Sequence, residues 1–139
     1  PPAPTDTNTA SAGNGQAAKI CNNMLLAVQM IGTAEAFSMA DKLGLDAQTF
    51  YDISSVSSGQ CWSMTSYCPV PGVGPQSPSD NDYQGGFASA LMLKDLRLAM
   101  EAAGTAGAKT PLGKHSQEIY EAFAQENGAL DFSGIIKTL

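Results

Sequence analysis

GNGQAAKICNNMLLAVQMI, residues 13–31, decides how the chain is read. Gly13 and Gly15 are expected to keep a helix from starting before Gln16, because glycine costs about 1 kcal/mol per helical position relative to alanine. Good helix formers follow, and Lys19 and Asn23 stand four apart. Residues at i and i+4 share a helix face, so an ammonium and a carboxamide point the same way. Met24, Leu25, Leu26, Val28, Met30 and Ile31 then make the helix apolar on nearly every side. A helix of that kind is expected to be buried all round. A cation at the mouth of a core helix is the feature that needs explaining.

Outward from this stretch, the helix is expected to run to about Leu43. Gly44 takes the C′ position and Lys42 suits the dipole in the last turn. Gly32, in mid-helix, predicts close approach by another backbone. Residues 1–12, PPAPTDTNTASA, hold nothing apolar larger than alanine and read as a linker or cloning remnant, leaving 13–139 as one domain. Asp46 is a candidate N-cap for a second helix to about Val56. CWSMTSY carries the single Trp62 together with Tyr67, and Cys68 to Gly86 is rich in Pro, Gly, Ser, Asn and Asp. A long stretch of that kind in a compact domain is usually functional or mobile. Phe87 to about Ala103 reads as a third helix, Gly104 to Lys109 as a turn. Thr110-Pro111 opens a fourth helix that runs to Gly128. Asp131 or Ser133 is expected to cap a last short one. No convincing strand pattern and no internal repeat is present. The expected fold is all-α, a multi-helix bundle around one long buried N-terminal helix.

The 139 residues suit a single domain with a real core. A net charge of −6 and seven scattered basic residues argue against nucleic-acid and membrane surfaces. Gln29, Glu35 and Ser38 interrupt the best apolar run before Asp41 and Lys42 close it, so no bilayer span is expected. No charged segment followed by an apolar one suggests secretion. Cys21, Cys61 and Cys68 are odd in number and lack CxxC spacing. Reduced thiols in a cytosolic-type compartment are the expectation, and with only His115 to assist, no metal site.

Gly13, Gly15 and Ala18 fit G-x-G-x-x-G/A, with Glu35 about twenty residues on. The dinucleotide fingerprint needs a preceding strand, which Thr7 to Ala12 does not supply, and Glu35 falls inside the helix. It is rejected as a Rossmann loop. Lys19 has a physical case as a general acid/base. The positive end of the helix dipole and burial both disfavour its ammonium, moving its pKa toward neutrality. Asn23 then holds substrate or fixes the lysine. The plainer alternative is a solvated lysine beside a packing or capping asparagine, and spacing alone favours it.

GNGQAAKICNNMLL followed by GTAEAFSMADKLGLD resembles the C-terminal half of 3-hydroxyisobutyrate dehydrogenase and its β-hydroxyacid dehydrogenase relatives. The resemblance continues through SSGQCWS, CPVPGV, NDYQGGFASALMLKDLRLA and TPLGKHSQEIY, in the family's order. It implies a helical domain like the C-terminal domain of 6-phosphogluconate dehydrogenase, joined to an N-terminal Rossmann domain. By the same resemblance Lys19 is the catalytic acid/base and Asn23 contacts substrate, while Trp62 and Tyr67 line the substrate pocket. Phe87 lies near the nicotinamide, Lys94 reaches the cofactor, and Asp95 orients it or the catalytic lysine. Without the resemblance, Trp62 and Phe87 read as core packing and Lys94 and Asp95 as a solvated helix face.

The glycine that opens the family's lysine box falls at Ala10, and the strand-GxGxxG-helix and Ser-Gly-Gly substrate loop have no counterpart here. The expectation is therefore a fragment or isolated domain. It would belong to an enzyme that oxidises a short 3-hydroxy acid with NAD, with NADP left open because the missing half makes that choice. Such an enzyme works in the bacterial cytoplasm or mitochondrial matrix. The rival expectation is a helical dimerisation module that does no chemistry. On either reading the apolar first helix points to a homodimer or homotetramer, and charge at Ile31 is expected to dissociate or unfold it.

Overall fold

The computed structural model describes residues 12–139. The leader read as a linker lies outside them except for Ala12, which is helical. Among the described residues five α-helices follow in order: α1 Ala12–Lys42, α2 Ala47–Ser54, α3 Trp62–Thr65, α4 Ser89–Ala106 and α5 Pro111–Asn127. A 3₁₀ turn, Pro78–Asn81, lies between α3 and α4, and a 3₁₀ segment, Phe132–Thr138, ends the chain. Among the described residues there is no strand, only an antiparallel bridge between Ala88 and Asp131. The all-α expectation holds.

The 31 residues of α1 span roughly 46 Å at about 1.5 Å per residue. Gly13 and Gly15 do not delay it. Both are exposed within the helix, where a penalty of about 1 kcal/mol each is outweighed by propagation from a long, well-packed segment downstream. Gly44, at φ 84°, ends the helix as expected. Asp46 caps α2 by accepting from the Gln48 and Thr49 amides. α4 starts later than Phe87 because Ala88 is extended and bridged to Asp131. It also runs through Gly104, and Gly107 at φ 73° is its left-handed C-cap. Thr110 and Pro111 open α5, although the threonine hydroxyl makes no capping bond and contacts Met100 Sδ at 3.5 Å instead.

Ala27, Met30, Ile31 and Ala34 of α1 pack on Met92, Leu93 and Leu96 of α4, Tyr120 and Phe123 of α5, and Phe132 and Ile135 of the terminal segment. A second cluster joins Phe37 to Met64, Cys68 and Val73, with the Phe50 ring edge-on to Phe37 at 4.9 Å. The first helix is not buried all round within this chain. Leu25 is 52 % and Met39 65 % exposed, and Gly32 faces open space with no atom within 4 Å of where its Cβ would stand. Among the described residues no other backbone approaches it. Ile31, by contrast, belongs to the chain's own core, so charge there attacks folding before assembly.

Candidate active site

Lys19 lies on an exposed face of α1, seven residues past Ala12. The two premises that argued for a tuned lysine, first-turn position and burial, are not met within this chain. Helical geometry places Lys19, Asn22, Asn23 and Leu26 on one side of α1. Asn23 is half-buried, and its Nδ2 donates to Asp95 Oδ2 of α4 at 2.7 Å. Asp95 is only 8 % exposed, so it is not part of a solvated face. What it orients is Asn23, the carboxamide one turn from Lys19. Lys94, its neighbour, turns outward and is exposed. Among the described residues, neither Lys19 nor Lys94 is in an ion pair.

The aromatic residues form a file. Trp62 is half exposed and stacks on Tyr67 with ring centres 4.9 Å apart and planes at 21°. Tyr67 packs on Phe132 at 5.4 Å, and Phe132 meets Phe87 edge-on at 5.9 Å. A pocket of about 370 Å³ is lined by Asn22, Leu25, Leu26, Gln29 and Trp62, so it borders the Lys19 side of α1. The sequence singled out neither Asn22 nor Leu26, although spacing from Lys19 places both on its face.

Behind the aromatic file sits a fully buried carboxylate. Asp131 Oδ1 accepts the Tyr67 hydroxyl at 2.6 Å and the Phe87 amide at 2.7 Å. Oδ2 accepts the Ser133 amide at 3.0 Å and the Ser133 hydroxyl at 2.5 Å. Burial, followed by this bond and the nearby charge of Asp131, holds the Tyr67 phenol far above the usual tyrosine range. The backbone leading to Phe87 is bent to reach Asp131: Asp82, Tyr83, Gly85 and Gly86 all have positive φ. Such conformations persist for non-glycine residues only where the surroundings over-determine them. The Tyr83 carbonyl accepts the Asp131 amide at 2.8 Å, which supplies part of that constraint.

Phe87 is half-buried, and among the described residues Lys94 is free of ion pairs. No cluster of three His, Cys, Asp or Glu side chains suited to a metal occurs among the described residues. Cys21, Cys61 and Cys68 are all free thiols. Among the described residues no helix is long and apolar enough to cross a membrane.

The probable 3-hydroxyisobutyrate dehydrogenase of Mycobacterium tuberculosis is 54 % identical over 129 residues, which is 93 % of this chain and 44 % of that protein. The human mitochondrial 3-hydroxyisobutyrate dehydrogenase is 48 % identical over 130 residues, covering 93 % and 39 %. The chain thus spans less than half the length of these relatives. Among solved structures, Mycobacterium tuberculosis 3-hydroxyisobutyrate dehydrogenase with L-serine superposes with a TM-score of 0.88, covering 91 % of this chain and 44 % of that one. A 3-hydroxyisobutyrate dehydrogenase from Salmonella typhimurium, 23 % identical over 88 % of this chain and 41 % of its own, shares the fold with a TM-score of 0.71. The family described as NAD-binding of NADP-dependent 3-hydroxyisobutyrate dehydrogenase matches residues 13–139, and the chain belongs to it.

Proposed function

We propose that residues 13–139 form the helical, substrate-binding and catalytic half of a nicotinamide-dependent dehydrogenase that oxidises a short 3-hydroxy acid to its semialdehyde. The observation that carries the reading is the Asn23–Asp95 bond, which fixes a substrate-type carboxamide one turn from Lys19 inside a family match that runs the length of the domain. Lys19 Nζ takes the proton from the substrate hydroxyl. Asn23, held by Asp95 and accepting at Oδ1 from Asn22 Nδ2 at 3.3 Å, presents its remaining amide hydrogen and the second lone pair of its carbonyl to the substrate. Trp62 and Tyr67 wall the substrate off from water, and Phe87 and Lys94 bound the cofactor. The nicotinamide, when bound, supplies the hydride acceptor. The relative solved with L-serine, itself a 3-hydroxy acid, supports that substrate class.

In this reading the enzyme uses NAD or NADP and works in the bacterial cytoplasm or the mitochondrial matrix. It assembles as a homodimer or homotetramer through α1. The test is a panel of 3-hydroxy acids, with hydroxyisobutyrate and serine among them, assayed with both cofactors on the full-length enzyme that carries this chain. Cofactor reduction with one of them is expected. Absence of turnover with every acid and both cofactors would sink the dehydrogenase reading and leave a helical assembly module.

A further inference from the structure

We propose that Asp131 is a positioning residue of this site, holding the Tyr67 phenol and the Phe87 backbone in register through a single carboxylate oxygen. The proposal rests on the dehydrogenase reading for its consequence, and on the geometry alone for its contacts. Asp131 is fully buried, and its side chain touches no part of the candidate pocket. It acts only through Tyr67, which carries Trp62 on its face, and through Phe87.

Cap duty explains half of this carboxylate. Oδ2 satisfies the start of the terminal segment through Ser133, as a local N-cap does. Nothing local explains Oδ1, whose two donors lie 64 and 44 residues away in sequence. Those donors belong to the two loops that present the aromatic walls. Gly86 keeps the approach open: a Cβ at that position would overlap both Asp131 Oδ1 and the Tyr67 hydroxyl. The second glycine of the QGGF segment is therefore needed for this contact as well as for its φ of 69°. One anion thus sets the spacing between the residue proposed for the substrate pocket and the one proposed for the nicotinamide. A neutral amide cannot replace it, because an amide nitrogen would face donors on one side.

The test compares Asp131→Asn, Tyr67→Phe and the double variant in the full-length enzyme. Asp131→Asn is expected to raise KM for the hydroxy acid about tenfold, with a smaller change in kcat, as for lost positioning of substrate. Tyr67→Phe should move KM the same way, and the double variant should be no worse than Asp131→Asn alone. A lowered melting temperature with KM within twofold of wild type, or fully additive effects, would overturn the proposal. Should Asp131→Asn fail to fold, Tyr67→Phe decides alone: it removes only the hydroxyl bond, and an unchanged KM refutes the role. A second readout needs no activity. It is made on the 139-residue chain, whose single tryptophan is Trp62: the emission is expected to shift in Asp131→Asn as Tyr67 is released. An unchanged emission overturns the positioning claim even if no 3-hydroxy acid proves to be a substrate, so the two readings fail separately.

Discussion

Lys19 stands exposed and beyond the first turn of α1, so its proposed role rests on where it stands: one turn from an asparagine that another helix holds in place. Lys19→Ala in the full-length enzyme is expected to lower kcat by about 10² to 10⁴-fold while substrate still binds, the range that general acid/base groups supply. A loss under tenfold would mean that another group moves the proton. Asn23→Ala should differ in kind, raising KM more than it lowers kcat, and an unchanged KM would remove Asn23 from the site. A third residue-scale prediction concerns Gly86, which sits at φ 69° with no room for a Cβ beside Asp131 and Tyr67. Gly86→Ala is expected to destabilise the chain by about 1–3 kcal/mol from backbone strain alone, read as a drop in denaturant midpoint. A midpoint equal to wild type would show that the loop has another conformation available.

At the scale of elements, what was legible in the sequence was what is written locally. Asp46 as a cap, Gly44 as a terminator and Pro111 as a first helical residue each depend on a few neighbouring positions. What escaped was decided at a distance. Gly13 and Gly15 are carried into α1 by packing far downstream, and Phe87 is kept out of α4 by the bridge to Asp131. The candidate site divides the same way: Lys19 and Asn23 are visible as a pair four apart and Asp131 as a local cap, whereas the bonds of Asp95 to Asn23 and of Asp131 to Tyr67 span 72 and 64 residues and are set by the fold. The stretch from Cys68 to Gly86, read as polar and irregular, is organised by Asp80. Its Oδ1 accepts the Gly72 amide at 2.6 Å and its Oδ2 the Ser77 amide at 2.9 Å. Those two bonds hold the Asp80 carboxyl below its ordinary 3.8. With a depressed folded-state pKa, the stabilising contribution is complete above pH 3.8 and is lost as pH falls through the folded value. The Gly72 and Ser77 amide resonances are therefore expected to titrate together with a midpoint below 3.8. Midpoints at or above that value would show that the loop is held by something else.

For the whole molecule, the open question posed by the fold is the outer face of α1. Leu25, Gly32 and Met39 are spaced seven apart, so they fall along one line of the helix. Leu25 and Met39 are more than half exposed, and the glycine between them has empty space where a Cβ would be. Leucine and methionine gain about 1.5–3 kcal/mol each when fully buried, so a line that leaves them wet forfeits several kcal/mol. A glycine in the middle of such a line lets a second backbone come close. In the proposed assembly this line closes on its copy in a partner chain, because two-fold pairing is the commonest closed arrangement and uses one patch twice. Met39→Glu is then expected to yield a monomer at micromolar concentration with helix content unchanged, measured by sedimentation equilibrium and circular dichroism. Ile31→Glu is expected to behave differently. Ile31 is 8 % exposed and packed in the chain's own core, so a charge there should remove the helical signal along with the oligomer. If the wild-type chain sediments as a stable, fully helical monomer, the line is a solvent face and the pairing is wrong. If Met39→Glu stays assembled, the contact lies elsewhere on the molecule.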